Sequence, residues 1–439
     1  MSAFPAVEPA DELVPGHGDL SYSVRRYDLD LAYRQATNHL RGVAVVDAVI
    51  AHATSSITFD LYAMRVSGVV VTGATLKSWV HRRGRLTVRF ARTLVAGSAV
   101  RVTIRYAGTP RLIPGPDGQV GWEELTDGAL VAAQPYGAPS WFPCNDRPSD
   151  KATYRITVRA SSAYAVVANG VLTSRQVGGS TTTWEYVVDQ PMATYLATVQ
   201  LGRYVSRVLP GATPITLVYP PLRQAAVAAA FARQSEMLDL FVRLFGPYPF
   251  EGYTVVVTDD PLEIPVEAQT LSTFGSNYLR QDWDAERLIA HELSHQWFGN
   301  SLTVERWRDI WLHEGFACYA EWLWSESSGG QSAAWHARVH WNRLNQLPQD
   351  LILGAPEADR LFDDRVYKRG ALLLHTLRVS VGDMAFFGLL REWTSRHRYG
   401  SVTTEQFIDL AAAMWGSDVV PIIDAWLRHP ELPLLPGAP

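Results

Sequence analysis

Along roughly the first two hundred residues, apolar side chains recur at every second position. The stretches "ITFDLYAMRVSGVVVTGA", "RLTVRFART", "AVRVTIRYAG", "ATYRITVRAS", "TTTWEYVVDQ" and "TYLATVQLGRYVSRV" alternate and are rich in β-branched residues. That is the period of half-buried strands. Gly- and Pro-rich segments such as "AGTPRLIPGPDGQVGW" and "LPGATP" separate them. Residues 1–206 therefore read as an antiparallel β domain. The period then changes. "RQAAVAAAFARQSEMLDLFVRLFG" reads as one helix stopped at Gly246, with Pro247 and Pro249 beyond it, a standard helix end. "YTVVVTD" and "EAQTLSTFG" read as short strands, and helical stretches dominate from about residue 282. The expectation is an α+β protein of two domains, with residues 207–439 forming a mostly helical second one.

Composition narrows the class. With 439 residues, 47% of them hydrophobic and 15 of them Trp, the chain has ample material for packed cores, which argues against disorder. The net charge of -5 and the pI near 6.2 suggest no nucleic-acid partner, because such domains favour a basic balance. The short run His81-Arg82-Arg83 reads as a solvated face. Two cysteines, Cys144 and Cys318, allow at most one disulfide, and Cys318, in an apolar helical stretch, reads as a buried free thiol. The N-terminal stretch "MSAFPAVEPADELVPGHG" lacks the basic start and apolar run of a signal peptide. No run of eighteen apolar residues suggests a membrane span. A soluble cytoplasmic protein is expected.

One segment carries chemistry. In "HELSHQWFGN", His291 and His295 are four residues apart, hence on one helix face and roughly 6 Å apart along the axis. Both can reach a single ion. Glu292 points about 100° away and is poorly placed as a ligand, yet it can reach a metal-bound water. A catalytic zinc usually takes three protein ligands. Glu314, separated from His295 by eighteen residues, is the candidate third. Gly299, Asn300 and Ser301 suit the helix stop and turn between them. Glu321, seven residues after Glu314, shares its helix face and could accept the second N–H of a ligating histidine. A comparable pair, His336 and His340 in "HARVH", lacks the intervening glutamate and reads as surface or packing.

The segment "HELSHQWFGNSLTVERWRDIWLHEGFACYAE" resembles the zinc aminopeptidases of the aminopeptidase N family, which includes leukotriene hydrolase. Here His313 stands where that family usually has Asn. "WFPCNDRPSDKATY", "VYKRGALLLHTLR" and "VTTEQFIDL" resemble further family segments. The resemblance implies a saddle-shaped β domain over 1–206 and a thermolysin-like catalytic domain after it. It also implies a short form, without the large C-terminal helical domain of longer members. One Zn2+ held by His291, His295 and Glu314 is implied, with Glu292 as general base. Tyr367 matches the family's catalytic tyrosine, whose phenol donates to the oxyanion.

An exopeptidase must also recognise a protonated N-terminus, which calls for a buried acceptor or carboxylate. The resemblance assigns that task to Glu267 in "IPVEAQTLSTFG" and to Gln134 in "AAQPYGAPSW". Around Glu267, Ile264, Pro265, Val266 and Ala268 depart from the family pattern. Glu263 reads as solvent-facing, and Lys368 and Arg378 as exposed charges. The expected partners are peptides with a free N-terminus. Three rivals stay open: an endopeptidase, another hydrolase on the same scaffold such as an epoxide hydrolase, and an inactive peptide-binding protein. Intact Glu292 and Tyr367 speak against the last.

Overall fold

The computed structural model describes residues 10–116 and 118–436. Residues 1–9 of the N-terminal stretch and the last three residues, 437–439, lie outside the described residues. Two compact units divide after Leu201.

The first unit is built of strands. Its largest sheet runs in the order Val171–Val177, Thr181–Met192, Ala152–Ser161, Tyr22–Arg34, His39–Ile50, Ala99–Gly108, Arg65–Thr72. Thr54–Asp60, Arg85–Leu94 and Leu76–Arg82 form a smaller one. Pairing is antiparallel in this large sheet except between Tyr22–Arg34 and Ala152–Ser161, which run parallel. A parallel pair needs a long crossover, and the intervening hundred-odd residues, which build other strands, supply it. The strand Tyr22–Arg34 escapes a simple period-two reading. Its register shifts between Val24 and Arg26, so the buried set passes from Tyr22 and Val24 to Tyr27, Leu29, Leu31 and Tyr33. A bulge resets the alternation. The expected strand at 57–74 is broken in two between Asp60 and Arg65, with Ala63 left-handed at φ 56°.

The second unit contains a five-stranded sheet in the order Val205–Leu209, Ile215–Tyr219, Tyr253–Val257, Leu271–Phe274, Val266–Ala268. Its central strand Tyr253–Val257 pairs parallel on both sides. It is buried at all but one position, so it reads as a continuous apolar run rather than an alternation. The expected single strand "EAQTLSTFG" is instead a hairpin, with Val266–Ala268 at the sheet edge opposite Leu271–Phe274. Thr270, in its turn, has φ 68°.

The helices are α1 (Gln224–Ala230), α2 (Gln234–Phe245), α3 (Trp283–Ser294), α4 (Trp311–Ser327), α5 (Ala333–Leu344), α6 (Asp364–Val381), α7 (Asp383–Arg396), α8 (Thr404–Trp415) and α9 (Val420–Leu427). The expected single helix over 223–246 is thus two. Buried Val227, Phe231, Gln234, Leu238, Phe241 and Phe245 keep helical spacing straight through the break, so periodicity does not register it. Among the described residues no helix is long and apolar enough to cross a membrane. Cys144 and Cys318 are both buried and free, so the possible disulfide is not formed.

Candidate metal centre

Asp282 caps α3 by accepting a hydrogen bond from the Ala285 N–H at 3.0 Å. The helix carries His291 and Glu292, and His295 follows its last residue in a helical conformation. α4 packs alongside with Glu314 in its first turn. His291 Nε2 lies 3.4 Å and His295 Nε2 3.5 Å from the same Glu314 oxygen. All three ligand atoms fall within 4.8 Å of one another. Ligand atoms about 2.1 Å from a tetrahedral zinc ion are about 3.4 Å apart, so the side chains fit such an ion as they stand.

The opposite ring nitrogens are also engaged. His291 Nδ1 lies 2.8 Å from Glu321 Oε1, and His295 Nδ1 lies 2.9 Å from the Phe298 carbonyl. Each acceptor holds the proton on Nδ1 and leaves the Nε2 lone pair for an ion. Electrostatics favour positive charge at the centre. Burial pushes His291 and His295 down, but Glu314 and the neighbouring carboxylates outweigh it and raise them to about 9 and about 10. Burial lifts Glu314 too, yet the two histidines carry it well below the usual carboxylate range. Two imidazolium protons or one dication would equally answer that demand, and a dication displaces the protons.

Two more carboxylates converge here. Atoms of Glu267, Glu292 and His295 lie within 4.8 Å of one another. Glu292 is 4% exposed, and its Oε2 has no hydrogen-bond partner among the described residues. Burial raises it to about 8, and the charge of Glu267 adds to that while His291 opposes it. Such an oxygen can accept a proton from water or a reactant. Burial likewise raises Glu267.

The strand bearing Glu267 is held by side chains from the metal segment itself. Gln296 Oε1 accepts from the Thr270 N–H at 2.8 Å, while Gln296 Nε2 and Asn300 Nδ2 donate to the Ala268 carbonyl at 3.1 and 2.9 Å. From the sequence Asn300 reads only as a turn residue and Gln296 has no assigned task; their polar side chains directly after the metal motif are the signal that could have found them. His313 Nε2 accepts the Val304 N–H at 2.9 Å, so it braces the loop between the two metal-bearing helices. Glu263 is exposed as expected.

Tyr367 lies on α6, its ring 5.9 Å from that of His291 and nearly parallel to it at 22°. Burial and then the site's glutamates raise its pKa well above the ordinary value, so the phenol stays a hydrogen-bond donor. α4 and α6 cross at Gly315 and Gly370. A Cβ on either would meet the other's Cα at 2.7 or 2.6 Å, closer than side-chain carbons tolerate. The crossing sits one residue after Glu314 and three after Tyr367, and it sets their spacing. Lys368 and Arg378 are not exposed charges. Lys368 Nζ donates to Cys318 Sγ at 3.3 Å, and Arg378 bonds Asp383 and Glu326. His336 and His340 pack: one bonds Ser325 at 2.9 Å, the other stacks on Trp322 at 5.3 Å. Gln134 belongs to the first unit, after strand Gly128–Ala132. Its buried Nε2 has no partner among the described residues.

Comparison with known proteins agrees in both halves. Residues 23–196 match the peptidase M1 N-terminal domain and 229–426 the peptidase family M1 domain. An M1 zinc metallopeptidase from Deinococcus radiodurans superposes with a TM-score of 0.90 at 31% identity, covering 98% of this chain and 99% of that one. A mutant of that enzyme, solved bound to a Tyr-Ser-Ala substrate, matches with the same TM-score of 0.90 at 30% identity. Aminopeptidase N of Lactococcus lactis is 29% identical over 67% of this chain, and aminopeptidase 2 of Candida albicans 23% identical over 93%. The chain spans less than half the length of these curated relatives, 38% and 47% respectively. With family models matching both units over most of its length, the chain belongs to peptidase family M1.

Proposed function

We propose that the protein is an aminopeptidase that removes the N-terminal residue of peptides with the help of one zinc ion held by His291, His295 and Glu314. The observation that carries this reading is the donor set itself: two Nε2 atoms at 3.4 and 3.5 Å from one Glu314 oxygen, each backed by an acceptor at Nδ1. When bound, zinc supplies a Lewis acid that polarises the scissile carbonyl and acidifies a water.

The remaining work falls to side chains. Glu292, with its free buried oxygen, takes the proton of the attacking water and hands it to the departing amine. The Tyr367 phenol donates to the developing oxyanion. Glu267 receives the substrate ammonium, whose attraction to a buried carboxylate is charge-assisted. For Gln134 the resemblance implies the same task. Edge strand Val266–Ala268 offers backbone groups to an extended peptide. The two free, buried thiols accord with a reducing compartment, which supports a cytoplasmic site of action.

The test uses the purified protein on a dipeptide amide and its N-acetylated form, with and without a chelator. Cleavage of the free form alone, lost with chelator and restored by zinc, is expected. Cleavage of the acetylated form would make the enzyme an endopeptidase. Activity indifferent to chelation would remove the metal from the reading.

A further inference from the structure

The two histidines of the metal centre are held by unlike means. His295 Nδ1 is bonded to the Phe298 carbonyl at 2.9 Å, a main-chain group three residues away that the local turn keeps in place. His291 Nδ1 is bonded to a side chain, Glu321 Oε1, at 2.8 Å. A glutamate's terminal torsion is soft, so by itself this bond orients the ring poorly. The other oxygen supplies the missing restraint. Glu321 Oε2 lies 3.2 Å from Arg287 NH1.

We propose that Arg287 is a positioning residue for the metal: it locks the Glu321 carboxylate, which locks the His291 ring, and thereby sets how tightly the site keeps its ion. The inference rests on His291 being a zinc ligand. Arg287 and His291 are four residues apart on α3 and so lie on one face. Glu321 crosses to both from α4 with one oxygen each, and rotating its carboxylate breaks two bonds at once. The Glu321 side chain is 3% exposed and that of Arg287 31%. Water is therefore a poor substitute donor at the carboxylate, while the guanidinium keeps contact with solvent. Lys368, the other nearby cation, donates to Cys318 Sγ and approaches Asp364 at 3.9 Å, so the hydrogen bond to Oε2 falls to Arg287.

Zinc affinity, measured by titrating the zinc-loaded protein with a chromogenic chelator, tests this for Arg287→Gln, Arg287→Lys, Glu321→Gln and the double variant. Outer partners of metal-bound histidines are worth about 10–100-fold in affinity. Glu321→Gln should lose that much, and Arg287→Gln, one link further out, about 3–10-fold. Arg287→Lys should recover most of the loss, and the double variant should be no worse than Glu321→Gln alone. Wild-type affinity in Arg287→Gln would overturn the proposal, as would losses that add in the double variant. So would a raised KM at unchanged affinity, which would make Arg287 a substrate contact. If Arg287→Gln fails to fold, Arg287→Met, which keeps the aliphatic stem and removes the donor, and its double variant with Glu321→Gln decide the same point. A wild-type protein that takes up no zinc would instead sink the reading of His291, and this inference with it.

Discussion

Both units bury a group of carboxylates, and they treat them in opposite ways. In the β unit, Asp60 Oδ2 accepts from the Gly18 and Asp146 N–H groups at 2.8 and 3.1 Å, and Oδ1 pairs with Arg85 at 2.6 Å. Asp146 takes Thr194 Oγ1 at 2.8 Å and His17 at 3.0 Å. Asp150 takes the Val24 N–H on both oxygens and Asn145 Nδ2 at 2.6 Å. Every one of these carboxylates is occupied by the protein's own donors. In the second unit, Glu314 and Glu321 are likewise engaged, but Glu292 keeps a buried oxygen with no hydrogen-bond partner among the described residues. A satisfied carboxylate ties loops together; a buried oxygen left open beside a candidate metal centre is placed to act on something other than the protein. The segment "WFPCNDRPSDKATY", which contains Asn145, Asp146 and Asp150, therefore contributes structure.

Substitutions on either side can break that contrast. The largest effect is expected from Glu292→Gln: kcat should fall about 10²–10⁴-fold, while the thermal midpoint holds because Glu292 Oε2 has no hydrogen bond among the described residues to lose. A melting temperature that drops with the activity would place Glu292 among the structural carboxylates. Tyr367→Phe should lower kcat about 10²-fold or more with little change in KM; steady-state kinetics on a dipeptide amide reads both. Asp60→Ala is the mirror image. It strands two buried N–H groups and Arg85, so chemical denaturation should show a loss of about 3 kcal/mol with kcat at saturating substrate unchanged.

The smallest effect concerns acid, where individual histidines of the two units differ in sign. Burial pushes His17 down, but its hydrogen bond and attraction to Asp146 outweigh that and raise it. Its stabilisation is therefore present below the unfolded pKa of about 6.5 and lost as pH rises through the folded value. In the second unit burial depresses His340 and His375 to about 4. Their stabilisation is present above about 6.5 and is lost as pH falls towards 4. Scanning calorimetry from pH 7 to 4 should show His375→Gln losing less thermal stability than the wild type over that range, and His17→Gln losing more. Equal slopes in the wild type and both variants would contradict it.

Much of the metal centre was legible because its spacing is local. His291, Glu292 and His295 occupy one and a half turns, and Glu314 and Glu321 recur at helical intervals on the next helix. The remainder depends on what the chain meets in space. Nothing in the period of "EAQTLSTFG" announces a hairpin, since its turn is stabilised by Gln296 and Asn300 from another element. The buried state of Lys368 follows from α6 lying against Cys318 of α4. Arg287 looks like any helix-surface charge until Glu321 arrives beside it. In the β unit, alternation marked Thr54–Asp60, Arg65–Thr72, Arg85–Leu94, Ala99–Gly108, Ala152–Ser161 and Thr181–Met192, and it did not single out His39–Ile50 or Tyr22–Arg34, where a bulge shifts the phase.

The grip of Gln296 and Asn300 on the Ala268 carbonyl makes the enzyme its own ruler. The segment that presents His295 also clasps the strand carrying Glu267, so under the proposed reading the gap between the cation and the anchor for the peptide's leading end is written into one short piece of backbone. Cutting after a single residue then becomes an inherited dimension, and lengthening the bite would mean rebuilding the clasp rather than enlarging a pocket.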